Sequence, residues 1–413
     1  MAGVTSTSPA ATARQAPRVP HDVPNRRPPH DAPRWALWRL AFRPFYLLAS
    51  LFAALSTGLW ALQLAGLLER PYLSGPLWHA HEMLFGFALA VVVGFLFTAG
   101  RVWSGQATPT GLGLAALAVW WIAARVLVLT PFAWAAAIVD ASFAFGAAAA
   151  LAVPFWRARN RRNYFFVALL LLLGMANLAF HLTQLAVLPW PPMAGIRGAL
   201  DVLLFVIAVI GGRVIPMFTN NGVAGAGATK QRSVEALALG LTLALLAADV
   251  AQAPGSVLAV VAAAAAVAHA VRWALWRPWK TPGAPLVWVL HAAYAWIPVH
   301  LVLRAAAALG GVPDSAATHA LTVGAIGGMI VGMMTRTSRG HLGLPLQADR
   351  WDVACYALVL VAAVVRVLLP LAMPAWSVHA VMCSAALWCA GFALFAVRHG
   401  PALCRPRRDG QPG

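Results

Sequence analysis

Long apolar runs, broken by short polar stretches, dominate the chain from residue 44 onward. A membrane-crossing helix needs about 20 apolar residues. Twelve segments fit: 44–66, 77–99, 111–129, 132–155, 164–187, 198–217, 234–251, 255–275, 284–309, 316–335, 352–371 and 376–397. The pattern predicts an all-α polytopic membrane protein of about twelve transmembrane helices, occupying residues 39–398. Residues 1–38 are rich in Pro, Ala and Arg and read as a disordered basic cytoplasmic tail. Residues 399–413 read as a second basic cytoplasmic tail.

The runs contain an internal echo. Gly211-Gly212-Arg213-Val214-Ile215-Pro216-Met217-Phe218-Thr219 closes span six, and Gly327-Gly328-Met329-Ile330-Val331-Gly332-Met333-Met334-Thr335 closes span ten. Both have Gly, Gly, Met and Thr at matching places, and span two ends on a weaker version, Gly94-Phe95-Leu96-Phe97-Thr98. These spans are four apart, so the chain reads as three units of four helices. Tight helix contact through small residues is the competing account of the same glycines.

Charge then fixes an orientation. Only 10% of residues are charged, against roughly 25% in a soluble domain. A net charge of +18 invites a nucleic-acid partner, but 24 of the 30 Lys and Arg fall in the segments that are cytoplasmic if the N-terminus is inside. Outer loops hold only Arg70 and Arg197. This is the positive-inside pattern, with both termini cytoplasmic and the bilayer as the partner. Arg26-Arg27 is not followed by an apolar run, so it is no export signal. Cys355, Cys383, Cys389 and Cys404 form no CxxC or CxxCH, which removes covalent c-type haem and thiolate zinc.

The candidate chemistry is histidine. Trp78-His79-Ala80-His81-Glu82-Met83 opens span two, and ionisable groups at a membrane mouth are costly enough to suggest function. On a helix, His79 and His81 point about 200° apart, so each should serve a different site. His79, His81, His181 and His319 lie towards the outer ends of spans two, five and ten and form a candidate outer cluster. His319 and His341 are 22 residues apart in the sequence, about 33 Å of helix, too far to bind one metal. His341 therefore groups with Arg101, Asn220, Asn221, Trp279, Arg336 and Arg339 at the inner face. His291 lies near the inner end of span nine. His79 and Met83 share a face, as a soft copper(I) site would need, although packing explains Met83 equally. His300 reads as a packing or carbonyl-bonded residue beside Pro298. His269, His379 and His399 show no constellation.

Other intramembrane charges have structural readings. Arg125 and Asp140 flank the Thr130-Pro131 turn and should form a salt bridge. Asp201 and Glu82 would orient an imidazole or cap a helix. Asp249 and Arg366 look interfacial. Arg213 either snorkels or meets a haem propionate.

Several blocks resemble the NnrS family. They are Arg43-Pro44-Phe45-Tyr46-Leu47-Leu48, Trp78-His79-Ala80-His81-Glu82-Met83-Leu84-Phe85-Gly86, the Gly211 to Asn221 stretch, Leu275-Trp276-Arg277-Pro278-Trp279, Ala293-Tyr294-Ala295-Trp296-Ile297-Pro298, His319 to Gly327, and Ser338-Arg339-Gly340-His341-Leu342-Gly343. The resemblance implies a bacterial inner-membrane protein with haem b and copper, acting in nitric oxide metabolism, denitrification or nitrosative-stress resistance. It makes His79, His81, His181, His291, His319 and His341 the metal-ligand candidates. A fainter likeness is to the haem-copper oxidase core, which also has twelve spans in three groups and takes haem ligands from spans two and ten. Spans six and seven here contain no histidine, so the oxidase copper site is missing from its usual place. The first assignment is then His81 and His319 as axial haem ligands, His79 with His181 at copper or a second haem, and Arg213 at the haem edge.

The function so implied is redox chemistry on nitric oxide or nitrosylated metal centres near the periplasmic face, with an electron donor that the sequence does not identify. A transporter of copper, haem or a related small solute is the competing class, because three four-helix units suit alternating access. A haem-based sensor or assembly factor without turnover is the third.

Overall fold

The computed structural model describes residues 35–64, 66–67, 71–407 and 409. Of the tail expected over 1–38, residues 1–34 lie outside the described residues, as does Arg70, while Ala36 is buried and bonded to the Cys404 carbonyl. Those described are helical and contain no strand. Twelve apolar helices follow in order: α1 (Phe42–Gln63), α2 (Gly75–Ser104), α3 (Gly111–Leu127), α4 (Ala133–Arg157), α5 (Arg161–Gln184), α6 (Ala194–Gly222), α7 (Arg232–Val250), α8 (Gly255–Lys280), α9 (Pro285–Ala308), α10 (Asp314–His341), α11 (Arg350–Ala372) and α12 (Pro374–Cys404). Eleven are long and apolar enough to cross a membrane, and α3 is shorter at 17 residues. The chain is a polytopic membrane protein, as its apolar pattern predicts.

Local chemistry sets the helix ends. α2 starts with Pro76 in its first turn, where a missing N–H costs nothing, and stops at Gly105 in the left-handed conformation (φ 65°). α11 starts on a capping box in which the Asp349 carboxylate accepts from Trp351 N–H and Asp352 N–H, while Asp352 accepts from Asp349 N–H. α12 continues through His399 to Cys404.

α2 and α10 form the centre of the bundle. In each, 78% of the apolar window is buried, against 17% for α7. Both also widen into a π-helix immediately after their histidines, over Glu82–Ala88 in α2 and Ala320–Gly327 in α10. Such wide turns commonly mark functional positions. The packing around them is repeated too. Gly86 and Gly94 of α2 receive Phe52 and Phe45 of α1, while Gly324 and Gly332 of α10 receive Trp296 and Val289 of α9. A Cβ on Gly324 would lie 2.4 Å from the Trp296 ring, and one on Gly94 would lie 2.9 Å from Phe45.

The echoed threonines at the inner ends share a local bond. Thr98, Thr219 and Thr335 are all buried, and each hydroxyl donates to the carbonyl four residues earlier, at 2.7, 2.8 and 2.8 Å. The same i−4 bond recurs at Thr183, Thr242 and Thr322, so it is the ordinary habit of a threonine inside a helix and adds nothing to the repeat.

Candidate metal centre

We call the end of the bundle carrying His79 and His319 the outer end. One turn of α2 delivers two imidazoles there, into different surroundings. His79 stacks on Trp60 of α1, with ring centroids 4.5 Å apart and planes 13° apart. His81 faces the other way, into a fully buried polar network with α3, α4 and α5.

That network centres on Asp140 of α4. Its Oδ2 accepts from Asn177 Nδ2 at 2.7 Å and lies 2.9 Å from His181 Nε2 and 3.0 Å from His81 Nε2. Its Oδ1 accepts from Arg125. Arg125 also donates to Glu82 Oε1 at 2.9 Å, and the same oxygen is 2.9 Å from His81 Nδ1. Tyr72 donates to His181 Nδ1 at 3.1 Å. His81, Asp140 and His181 offer three buried donor atoms within 4.8 Å of one another, close enough to hold a metal ion.

Charge explains why this group is unusual. One guanidinium faces two carboxylates, so the network is one positive charge short of neutral. Both ring nitrogens of His81 face carboxylate oxygens, and a neutral imidazole has only one N–H to offer. A second proton on His81, or a metal cation held by the lone pairs of neutral His81 and His181, supplies positive charge here. The Glu82 Oε2 atom is buried without a hydrogen-bond partner.

The second outer pair is His79 with His319. They lie within electrostatic reach of each other, and both lie within reach of Arg366 on α11. His319 Nδ1–H donates to the Ser315 carbonyl at 2.7 Å, which fixes the tautomer and leaves the Nε2 lone pair free. His79 Nδ1 is buried and unpartnered. The outer cluster of four is therefore two pairs. His81 is beside His181, where the first assignment placed it opposite His319. The reversal follows from helix geometry: the face carrying His81 meets α4 and α5, and the face carrying His79 meets α1.

Other expected positions fall elsewhere. His291 donates through Nε2–H to Thr219 at 2.8 Å, because the Thr219 hydroxyl is already committed to Ile215; its buried Nδ1 has no partner. His341 packs its ring against Phe42, with centroids 5.5 Å apart. The expected inner group does not assemble as one site. Asn220 bonds to Ala228, Arg336 lies over Phe218, and Arg339 pairs with Asp349 and Asp352. Arg213 lies over Phe165 and Phe166 near the start of α5, the end opposite His181. Asp201 lies inside α6 and caps no helix, and both it and Asp249, near the end of α7, pair with Arg304. His300 is carbonyl-bonded as read, through Nδ1–H to Ala317 at 2.8 Å.

His269, which the sequence left without a constellation, is part of one. It donates to Thr242 at 3.0 Å and accepts from Tyr294 at 2.7 Å, while Arg272 bonds both Tyr294 and Glu235. Both of its nitrogens are satisfied, and no other histidine, cysteine or carboxylate among the described residues converges with it as His181 and Asp140 do with His81. Sequence reasoning missed Asp140 as the hub of the site, together with Asn177, Tyr72 and Trp60. The only signal for Asp140 was a carboxylate inside an apolar run.

The sequence model of the NnrS protein family matches residues 36–407. The chain belongs to the NnrS family. No curated protein resembles it closely enough to add to that assignment. Haem and copper are the groups that the NnrS resemblance implies, and the residues present fit both. His79 and His319 offer imidazole nitrogens with no carboxylate competing for them, as haem iron takes. His81, Asp140 and His181 offer a mixed nitrogen and oxygen set, as a divalent metal such as copper takes.

Proposed function

We propose that this NnrS protein acts in nitric oxide metabolism through two metal centres in its outer half. A b-type haem would be held by His79 of α2 and His319 of α10. Copper would be held by His81, Asp140 and His181. The observation that carries this reading is the division of the Trp78–Met83 turn between an imidazole-only setting and an acid-rich one. When bound, the haem would supply a redox-active iron, open to a diatomic gas only where one of the two imidazoles gives way, and the copper a second one-electron centre nearby.

The protein's own residues do the rest. The Ser315 carbonyl orients His319, and Trp60 holds the ring of His79 in plane. Arg125 bonds both Asp140 and Glu82 and so fixes the two carboxylates in place. Tyr72 and Asn177 use up the remaining bonding capacity of His181 and Asp140, so the donor atoms converge without rotating. Arg366 pairs with no carboxylate among the described residues, which leaves its charge free for a haem propionate.

The test is absorption and EPR spectroscopy with haem and metal analysis on purified protein. His79→Ala and His319→Ala are expected to lose the low-spin haem signal. His81→Ala and His181→Ala are expected to keep it and lose copper. A full haem signal in both His79→Ala and His319→Ala rejects the assignment. Protein purified from haem-replete cells with no Soret band rejects the redox reading altogether and favours the transporter.

A further inference from the structure

α2, α6 and α10 face one another across the middle of the bundle, and a cavity of about 70 Å³ remains between them. Its walls are Val91 and Phe95 of α2, Val206 and Ile210 of α6, and Met329 and Met333 of α10, all apolar. A water molecule needs two to four polar partners, and this lining exposes almost no polar surface. A haem or a quinone head group is far larger than the space. We propose that the cavity is a binding site for a small neutral apolar gas, nitric oxide in this protein, kept one π-helical stretch inward of the two metal centres. The identity of the gas rests on the function proposed above; the existence of the site does not.

Position supports that occupant. The outermost lining residues of α2 and α10 are Ala88 and Ile326. Each is seven residues inward of a histidine, His81 in one case and His319 in the other, roughly 10 Å at helical rise. Both intervals are the π-helical stretches, so the same distortion separates each metal-ligand candidate from the cavity. Nitric oxide is neutral and partitions into apolar surroundings, so a store inside the membrane core is replenished from the bilayer without crossing polar surface. The sulfur atoms of Met329 and Met333 make that wall polarisable, which favours a gas held by dispersion alone.

Two measurements on the full-length protein test the idea. Crystals pressurised with xenon are expected to show it between Val206 and Met329 in the wild type and not in Val206→Phe, which fills the space. Nitric oxide association with the reduced protein, followed after flash photolysis, is expected to slow at least fivefold in Val206→Phe with an unchanged Soret band. Ile207→Trp, on the half-buried side of the same wall, serves as a second filled variant if Val206→Phe does not fold. Absence of xenon from the cavity, an acyl chain filling it, or unchanged association rates in the filled variants overturns the proposal. Xenon binding in a protein that carries no haem keeps the gas site and rejects the function on which its identity rests.

Discussion

Arg366 and Arg125 pose the same problem at residue scale and meet different answers. Each is an arginine inside an apolar helix, and desolvating such a charge is expensive unless it is paired. Arg125 has Glu82 and Asp140. Arg366 has no carboxylate among the described residues, yet it lies within reach of both His79 and His319. A propionate is the anion that would match it. Replacing Arg366 with Leu is therefore expected to lower haem retention and to shift the haem midpoint potential downward, because a nearby positive charge favours the reduced iron. Arg366→Lys should restore part of both. Redox titration of the purified variants checks this, and an unmoved potential with full haem content assigns Arg366 to the lipid interface instead.

The sequence made one half of this site visible and hid the other. His79, His81 and Glu82 declare themselves because they interrupt an apolar run, and the 200° between the two imidazoles is a property of any helix. That they face different surroundings was legible. Which partner each finds was not, because it depends on how α4 and α5 pack against α2. Asp140 and His181 are 41 residues apart, and no spacing rule connects them. The inner residues show the converse: Asn220, Arg336 and Arg339 share a depth, but each turns to a different neighbour.

At the scale of elements, the distortions and the caps carry the specificity. The π-helical stretches of α2 and α10 begin at the residue after a histidine, which re-aims the following side chains without a proline. Glycines accompany them because Arg125, Phe52 and Trp296 already occupy the places where a Cβ would stand. None of this shows in hydropathy, which reports only that the run is apolar.

The loop before α11 contributes by electrostatics, at the surface. Burial pushes the Asp349 carboxyl up, but the hydrogen bond from Arg398, the Asp352 N–H and the charges of Arg398 and Arg339 outweigh it and hold the group at about 2. A carboxylate held below its usual value of 3.8 stabilises the fold fully above that value, and the contribution disappears as pH falls through about 2. Asp349→Ala also removes the cap of α11, which costs roughly 1 kcal/mol. Thermal unfolding should show a deficit in Asp349→Ala that is constant from pH 5 to 8 and narrows below pH 4. A gap that stays unchanged down to pH 3 would assign the whole effect to helix capping.

Across the whole molecule, buried arginine networks form seams between groups of helices. His181 and Asn177 of α5 lock onto α2 and α4. Arg304 and Tyr294 of α9 do the same to α6, α7 and α8 through Asp201, Asp249 and Arg272. The ring closes where Arg43 of α1 donates to the Leu403 carbonyl of α12 at 2.8 Å. Breaking a buried ion pair costs about 3–5 kcal/mol, so rocking one unit against the next, as alternating access requires, would be opposed at each seam. A rigid bundle holding fixed centres is the better match to these seams. Charge predicts its direction in the membrane: the ends opposite His79 and His319 carry Arg157, Arg161, Arg162, Lys230, Arg232, Arg277 and Lys280, and loops so charged are expected inside. A fluorescent protein fused after residue 413 should therefore glow. Alkaline phosphatase inserted in the 188–193 loop should be active, and the same insertion at 224–229 inactive. The reverse pattern would put both metal centres on the cytoplasmic side, where the reducing thiol pool would compete for copper, and the assignment of His81, Asp140 and His181 would then have to favour a harder divalent ion.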